Sequence, residues 1–113
     1  MKRAVVFLAN GSEEVEALTP VDYLRRAGVE VTVAGIGERD ILGAHGIRMT
    51  ADIAVYDIEE TFDCVVVPGG GEGSKAIAQD EDAREIIRRH FAAGKLTAAI
   101  CAAPVVVLGK SCG

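Results

Sequence analysis

The residues best suited to chemistry are one cysteine and a group of carboxylates beyond predicted strand ends. Cys101 follows an apolar strand-like run, and Glu13, Glu14 and Glu16 follow another. A cysteine thiolate is a strong nucleophile and a readily oxidised group, and a carboxylate can accept or donate a proton. A cysteine and glutamates in these positions therefore favour thiol chemistry assisted by a carboxylate. The alternative for the glutamates is a solvated first helical turn that compensates the helix dipole.

The segment around Cys101 has the form of a nucleophile elbow. Ala99, Ala102 and Ala103 surround the cysteine, and a strained strand-to-helix turn needs such small neighbours. Pro104 is typical of a first helical turn, so a helix N-terminus would lie beneath the sulfur and favour the thiolate. The alternative is an ordinary buried cysteine at a strand end.

The glycine run 69–71 after a predicted strand offers backbone N–H groups that can approach a ligand closely, as an oxyanion hole requires. The alternative is a simple turn. Cys64, inside the preceding strand, is interpreted as inert core, and Cys112 has no interpretation. Three cysteines without a C-x-x-C pair predict neither a disulfide framework nor a zinc site.

Hydrophobic patterning predicts the elements that position these residues. Apolar runs predict buried strands, and apolar residues at helical spacing predict helices. The predicted strands are 3–9, 30–36, 63–68 and 96–100, and the predicted helices are about 12–27, 73–78 and 81–93. This alternation predicts an α/β fold, a doubly wound and mostly parallel sheet with helices on both faces.

Several local expectations accompany this scheme. Pro20 predicts a kink in the first helix, or a restart with Thr19 as N-cap. Val15, Leu18, Val21 and Leu24 would form its apolar face, and Ala83, Ile86, Ile87 and Phe91 that of the third helix. The glycine-rich residues after 35 are expected to be irregular, with a short edge strand at 47–51 and a loop or helical turn at 52–61.

Composition limits the class of protein. The 113 residues, half of them hydrophobic, are expected to form one domain, 1–113. The net charge of −5 argues against a nucleic-acid partner, which would require clustered Lys and Arg. Because no apolar run reaches the roughly 18 residues of a membrane span, and the start lacks a secretory signal, we expect no membrane association and a cytoplasmic location.

Four groups of residues together resemble the DJ-1/PfpI family, in particular its DJ-1 and bacterial YajL branch. They follow one another in order through nearly the whole chain. They are 3–16 (RAVVFLANGSEEVE), 20–28 (PVDYLRRAG) with 31–35 (VTVAG), 63–70 (DCVVVPGG), and 98–104 (AAICAAP).

The resemblance implies a flavodoxin-like fold and a role for each site residue. Cys101 matches the reactive cysteine, Glu16 the carboxyl that hydrogen-bonds its sulfur, and the N–H groups of Gly70 and Ala102 the oxyanion-binding pair. The implied activity is glyoxalase III-like conversion of methylglyoxal to lactate, or deglycation. The implied substrates are small aldehydes or glycated molecules, the implied assembly is a homodimer, and neither a cofactor nor a metal is expected.

The sequence departs from the family pattern at one important point. Family members supply a histidine near the cysteine from a later part of the fold, whereas this sequence has only His45 and His90, which do not match that position. We therefore expect either a fragment or truncated product, incomplete at the C-terminus, or a remainder that belongs to another chain, and in either case reduced turnover by this chain. His45 is interpreted as a loop polar residue and His90 as a cation at a helix end.

Two other functions stay open at this stage, and so does a purely structural or inactive remnant. A redox sensor or redox-regulated chaperone active in oxidative stress, in which Cys101 oxidises to a sulfinate, needs no histidine. A cysteine hydrolase of the PfpI protease or amidotransferase kind would need a well-placed base, for which Glu16 is a poor substitute.

Overall fold

The computed structural model describes residues 2–109 and residue 112. Five parallel strands form the central sheet in the spatial order β5-β2-β1-β6-β7. The strands are β1 (Arg3–Leu8), β2 (Glu30–Gly35), β3 (Asp40–Leu42), β4 (Arg48–Thr50), β5 (Ile53–Ala54), β6 (Cys64–Val67) and β7 (Leu96–Ala99); the helices are α1 (Glu14–Arg26), α2 (Gly71–Gln79) and α3 (Glu81–Ala92). The predicted doubly wound α/β fold is confirmed.

The two faces of β1 pack against different helices. Val5 and Phe7 belong to a core that also contains Ile77 of α2 and Ile87 of α3. Ala4, Val6 and Leu8 belong to a second core with Ala17 and Val21 of α1. Because successive strand side chains point to opposite faces, a continuous apolar run is what a sheet covered on both sides requires.

Helix α3 begins where the sequence predicted, but one residue of its predicted apolar face is exposed. The Asp80 carboxylate accepts a hydrogen bond from the Ala83 N–H at 2.8 Å, as expected of an N-cap. Ile86 and Ile87 are buried, whereas Phe91 is 74% exposed. The prediction for Phe91 was wrong because His90 takes the buried position at that end of the helix.

Helix α1 runs through Pro20 without a break, so the predicted restart at Thr19 was wrong. Glu13 is the N-cap, and its carboxylate accepts from the Val15 N–H at 3.3 Å. The buried face consists of Glu14, Ala17 and Val21, whereas Val15 is 69% exposed. The first turn is therefore rotated relative to the predicted face, with a glutamate pointing inward and a valine outward.

The segment between β2 and β6 is more ordered than the sequence predicted. Strands β3 and β4 form a separate antiparallel hairpin, in which Ile41 pairs with Met49. Strand β5 then joins the edge of the main sheet, and a 3-10 turn follows at Val55–Asp57. The predicted irregular region is thus a hairpin beside the end of β1.

The helix predicted after Cys101 is present within the described residues. A π-helical segment, Pro104–Gly109, begins three residues beyond the cysteine. Val107 in this segment is buried against the core that also contains α2 and α3. None of the helices in the described residues combines the length and apolarity that a membrane crossing needs.

Candidate active site around Cys101

Cys101 lies where three parallel strands end together. Strands β1, β6 and β7 are adjacent and parallel, so the segments that follow them meet at one edge of the sheet. Cys101 is exposed, and its φ of 61° is the one positive value at a non-glycine residue in the described part of the chain. Such a conformation is sterically costly for a residue with a Cβ. It agrees with the tight turn expected of a nucleophile elbow.

Glu16 and Cys101 lie on either side of Gly69. A Cβ placed on Gly69 would stand 2.6 Å from the Cβ of Cys101 and would overlap Oε1 of Glu16. Only glycine fits between the two side chains. The Oε1 atom of Glu16 is buried and has no hydrogen-bond partner among the described residues. The carboxylate and the cysteine therefore share one small space, without a hydrogen bond from Oε1 to the sulfur.

Two backbone N–H groups adjoin this space in sequence, one directly after Gly69 and one directly after Cys101. Within residues 2–109 and 112, the N–H groups of Gly70 and Ala102 donate to no protein acceptor. Gly70 has a φ of 91° and forms the N-cap of α2, while Ala102 directly follows the cysteine. Unpaired donors of this kind stabilise an oxyanion when they converge on it.

The loop after β1 holds the glycine run in place. The Glu13 N–H donates to the Gly69 carbonyl at 3.2 Å. A Cβ on Gly70 would stand 2.5 Å from the Gly11 carbonyl oxygen, and one on Gly73 would stand 2.6 Å from the Cα of Ser12. These contacts explain why glycines occur here: the two loops pack backbone against backbone.

A comparison with known protein families finds a match over nearly the whole chain. The model for the DJ-1/PfpI family matches residues 2–112. The chain belongs to the DJ-1/PfpI family. The resemblance seen in the sequence is thereby confirmed.

Individual DJ-1/PfpI relatives match over nearly the whole chain. Protein dj-1beta of Drosophila melanogaster is 40% identical over 108 residues, which are 94% of this chain and 58% of that protein. A glutathione-independent glyoxalase of Caenorhabditis elegans is 34% identical, over 95% of this chain and 58% of that protein. The chain thus spans less than two thirds of these relatives.

Solved structures of the family match closely. A structure described as oxidized Toxoplasma gondii DJ-1 aligns with a TM-score of 0.94 and 39% identity, over 96% of this chain and 60% of that chain. Drosophila melanogaster DJ-1beta aligns with a TM-score of 0.90 and 40% identity, over 96% of this chain and 59% of that chain. The flavodoxin-like architecture of the DJ-1 structures is therefore the fold of this chain.

Glu14 of this DJ-1/PfpI chain has a different environment from Glu16. Its side chain is 5% exposed, and Oε2 accepts from the N–H groups of His45 at 2.8 Å and Ile47 at 3.3 Å. Oε1 accepts from Nδ1 of His45 at 2.9 Å. Burial alone would raise the pKa of Glu14, but these hydrogen bonds outweigh it and lower the pKa from 4.5 to about 2. The carboxylate is therefore ionised at neutral pH.

His45 contacts both glutamates rather than the cysteine. Besides contacting Glu14, its Nδ1 lies 3.7 Å from Oε2 of Glu13. The hydrogen bond that Nδ1 donates to Glu14 raises the pKa of the histidine. Ligand atoms of these three residues lie within 4.8 Å of one another, a spacing that a metal ion could bridge. The hydrogen bonds already made account for this grouping. His45 is thus a polar loop residue, as predicted, and it is hydrogen-bonded to Glu14.

His90 is a buried structural residue, not a charged helix end. Its Nε2 accepts from the Phe62 N–H at 2.8 Å, and its Nδ1 lies 2.7 Å from the Ile86 carbonyl oxygen. This pair of contacts requires the neutral ring with the proton on Nδ1. Burial lowers the pKa of His90 accordingly. The expected cation at the helix end was wrong.

The other two cysteines differ from Cys101 in exposure. Cys64 at the start of β6 and Cys112 are both partly buried and unpaired. Burial raises the pKa of each thiol. Both cysteines therefore carry less thiolate at neutral pH than an ordinary exposed cysteine.

Proposed function

We propose that the protein to which this chain belongs acts on small reactive carbonyls in the cytoplasm through Cys101, in a glyoxalase III- or deglycase-like reaction. The observation that carries the proposal is the space around Gly69. An exposed cysteine in a strained conformation there adjoins a buried carboxylate oxygen that has no hydrogen-bond partner in the part of the chain that the structure describes. The C. elegans relative named as a glutathione-independent glyoxalase supports the substrate class.

In the proposed reaction, the Cys101 thiolate adds to the aldehyde carbon of methylglyoxal and forms a hemithioacetal. The aldehyde oxygen gains the negative charge, and the N–H groups of Gly70 and Ala102 stabilise it. Glu16 removes the proton from the aldehyde carbon and returns it to the neighbouring ketone carbon, while the hydroxyl proton of the hemithioacetal passes to the ketone oxygen. The aldehyde carbon is thereby oxidised and the ketone reduced, which leaves a lactoyl thioester on Cys101. Water then releases lactate and restores the thiol. The net reaction adds one water and needs no external oxidant.

The direct test is lactate formation from methylglyoxal by this chain, beside Cys101→Ser and Cys64→Ser. We expect activity in the parent and in Cys64→Ser, and none in Cys101→Ser, because Cys101 is exposed and adjoins Glu16 across Gly69, whereas Cys64 is a partly buried residue of β6. Equal lactate formation by the parent and Cys101→Ser would contradict the proposal. Far-UV circular dichroism of each variant shows whether the fold is intact.

A second function is redox sensing through the same cysteine. Its support is the contrast in exposure between Cys101 and the two partly buried cysteines. In this reaction hydrogen peroxide is reduced to water while the thiolate becomes a sulfenate, and a second peroxide yields the sulfinate. The Toxoplasma gondii DJ-1 structure is described as oxidized. Mass spectrometry after peroxide treatment should find added oxygen at Cys101 first, and equal oxidation of Cys64 would count against it.

Homodimer formation belongs to the same proposal. Helix α1 exposes Val15, Leu18 and Tyr23, with Tyr23 65% exposed. Such an apolar surface can be covered by a second copy. Sedimentation equilibrium should therefore show a dimer, and Tyr23→Glu should weaken it.

A further inference from the structure

We infer that Glu14 is a positioning residue, which clamps the β3–β4 hairpin turn onto the loop after β1 and thereby places Gly69 and Gly70 beside Cys101. The inference deepens the proposed function, since it rests on the role proposed for Cys101. Glu14 has no part in the reaction scheme above. Its role is argued from three layers of contacts that connect the hairpin turn to the cysteine.

The first layer joins Glu14 to the hairpin turn. Both carboxylate oxygens accept hydrogen bonds from it, two of them from backbone N–H groups. A Cβ on Gly43 would stand 2.6 Å from Cγ of Glu14 and would overlap its carboxylate. The turn thus encloses the carboxylate, and hydrogen bonds to an ionised acceptor are stronger than neutral ones.

The second layer joins the hairpin to the loop that precedes α1. The Gly11 N–H donates to the Leu42 carbonyl and the Ala44 N–H donates to the Ser12 carbonyl, both at 2.9 Å. The Leu42 N–H also donates to Oδ1 of Asn10 at 2.9 Å. The loop between β1 and α1 therefore has backbone support from the hairpin along its length.

The third layer joins this loop to the reactive region. Glu13 donates its N–H to Gly69, and the Gly11 carbonyl packs against Gly70. Gly69 in turn contacts Glu16 and Cys101. The hairpin, the loop after β1 and the glycine run are joined mainly backbone to backbone. A displacement of the hairpin turn is therefore passed on to the segment that contacts the cysteine.

The experiment removes the clamp in two ways. Glu14→Gln keeps the shape but removes the charge, and Gly43→Ala keeps the charge but pushes the carboxylate aside. Gly71→Ala is the matched glycine control, since a Cβ there meets nothing within 4 Å. Ile87→Val is the stability control, because it weakens the core on α3 without touching the clamp.

The readout is the second-order rate of Cys101 alkylation by iodoacetamide as a function of pH, resolved by mass spectrometry, with the melting temperature measured alongside. We expect both clamp variants to change the Cys101 rate about tenfold, the scale on which small misplacements act. The controls should leave that rate unchanged. Glu14→Asp should restore part of it.

An unchanged Cys101 rate in both clamp variants, together with a lowered melting temperature, would overturn the inference and leave Glu14 a purely structural residue. The alkylation readout does not depend on turnover. A parent chain that forms no lactate but shows the expected rate changes would contradict the proposed function while supporting the positioning role.

Discussion

Two glutamates in the first turn of α1, two residues apart, have opposite environments. Both oxygens of Glu14 accept hydrogen bonds from the β3–β4 hairpin turn. Oε1 of Glu16 is buried beside Cys101 and accepts none within the described residues. Buried polar atoms are normally paired, so an unpaired one needs a reason. The difference agrees with the two roles proposed above, in which Glu14 holds the hairpin turn in place and Glu16 stays available to a reacting group.

The largest effect is expected from closing the space between Glu16 and Cys101. In Gly69→Ala the new methyl group would overlap the Glu16 carboxylate and press on Cys101. We expect a loss of about 1–3 kcal/mol of stability, as for other overpacked sites. The two side chains would separate, and reaction of Cys101 with peroxide would slow. Urea unfolding and peroxide kinetics measure the two effects.

Gly71→Ala, two residues further along, is the control for that substitution. Its methyl group meets nothing within 4 Å, so stability and Cys101 reactivity should both stay at the parent level. Equal losses of stability and of Cys101 reactivity in Gly69→Ala and Gly71→Ala would mean that the space around Gly69 has no special role.

A smaller effect concerns the acid stability that Glu14 contributes. Its pKa is lowered from 4.5 to about 2 in the folded chain, so the unfolded chain binds the proton more tightly. The contribution of Glu14 is then fully present above its unfolded pKa and is lost as pH falls from about 5 towards about 2. Urea unfolding of the parent and Glu14→Gln should therefore converge in acid. A constant difference between them would contradict the ionised clamp.

The smallest effect separates the two histidines. Burial lowers the pKa of His90 below 6.5, so its contribution to stability is present above pH 6.5 and is lost as pH falls below that value. The pKa of His45 is raised from 6.5 by Glu14, so its contribution is present below pH 6.5 and is lost as pH rises through its folded pKa. The free energy of unfolding should be measured against pH between about pH 5 and about pH 8. Relative to the parent, its slope should change in opposite directions in His90→Gln and His45→Gln. Slope changes of the same sign in both variants would contradict a buried neutral His90 and a His45 that is paired with Glu14.

Sequence reasoning performed well where local pattern and tertiary structure agree. The apolar runs of β1 and β6 and the Asp80 cap of α3 were predicted because burial on both faces and N-capping leave local signals. The turn at Cys101 was predicted because small neighbours are a local requirement of a tight strand-to-helix turn.

The features that sequence reasoning missed depend on contacts between distant segments. Glu14 and His45 are 31 residues apart, and nothing in either local sequence indicates that the hairpin turn encloses the carboxylate. The inward rotation of Glu14 also explains why Val15 is exposed against expectation. The sequence does contain a glycine, Gly43, where the hairpin turn packs against the Glu14 carboxylate. That glycine indicates the contact only once the fold is known.

The most direct test of the central claim is a competition among the three cysteines in the parent chain and in Glu16→Gln, with sub-stoichiometric iodoacetamide and peptide mapping. We expect Cys101 to be labelled at least about ten times faster than Cys64 and Cys112 in the parent, because exposure and thiolate character control the rate. In Glu16→Gln only the Cys101 rate should change. Equal labelling of the three cysteines, or a Cys101 rate that Glu16→Gln leaves untouched, would contradict the account.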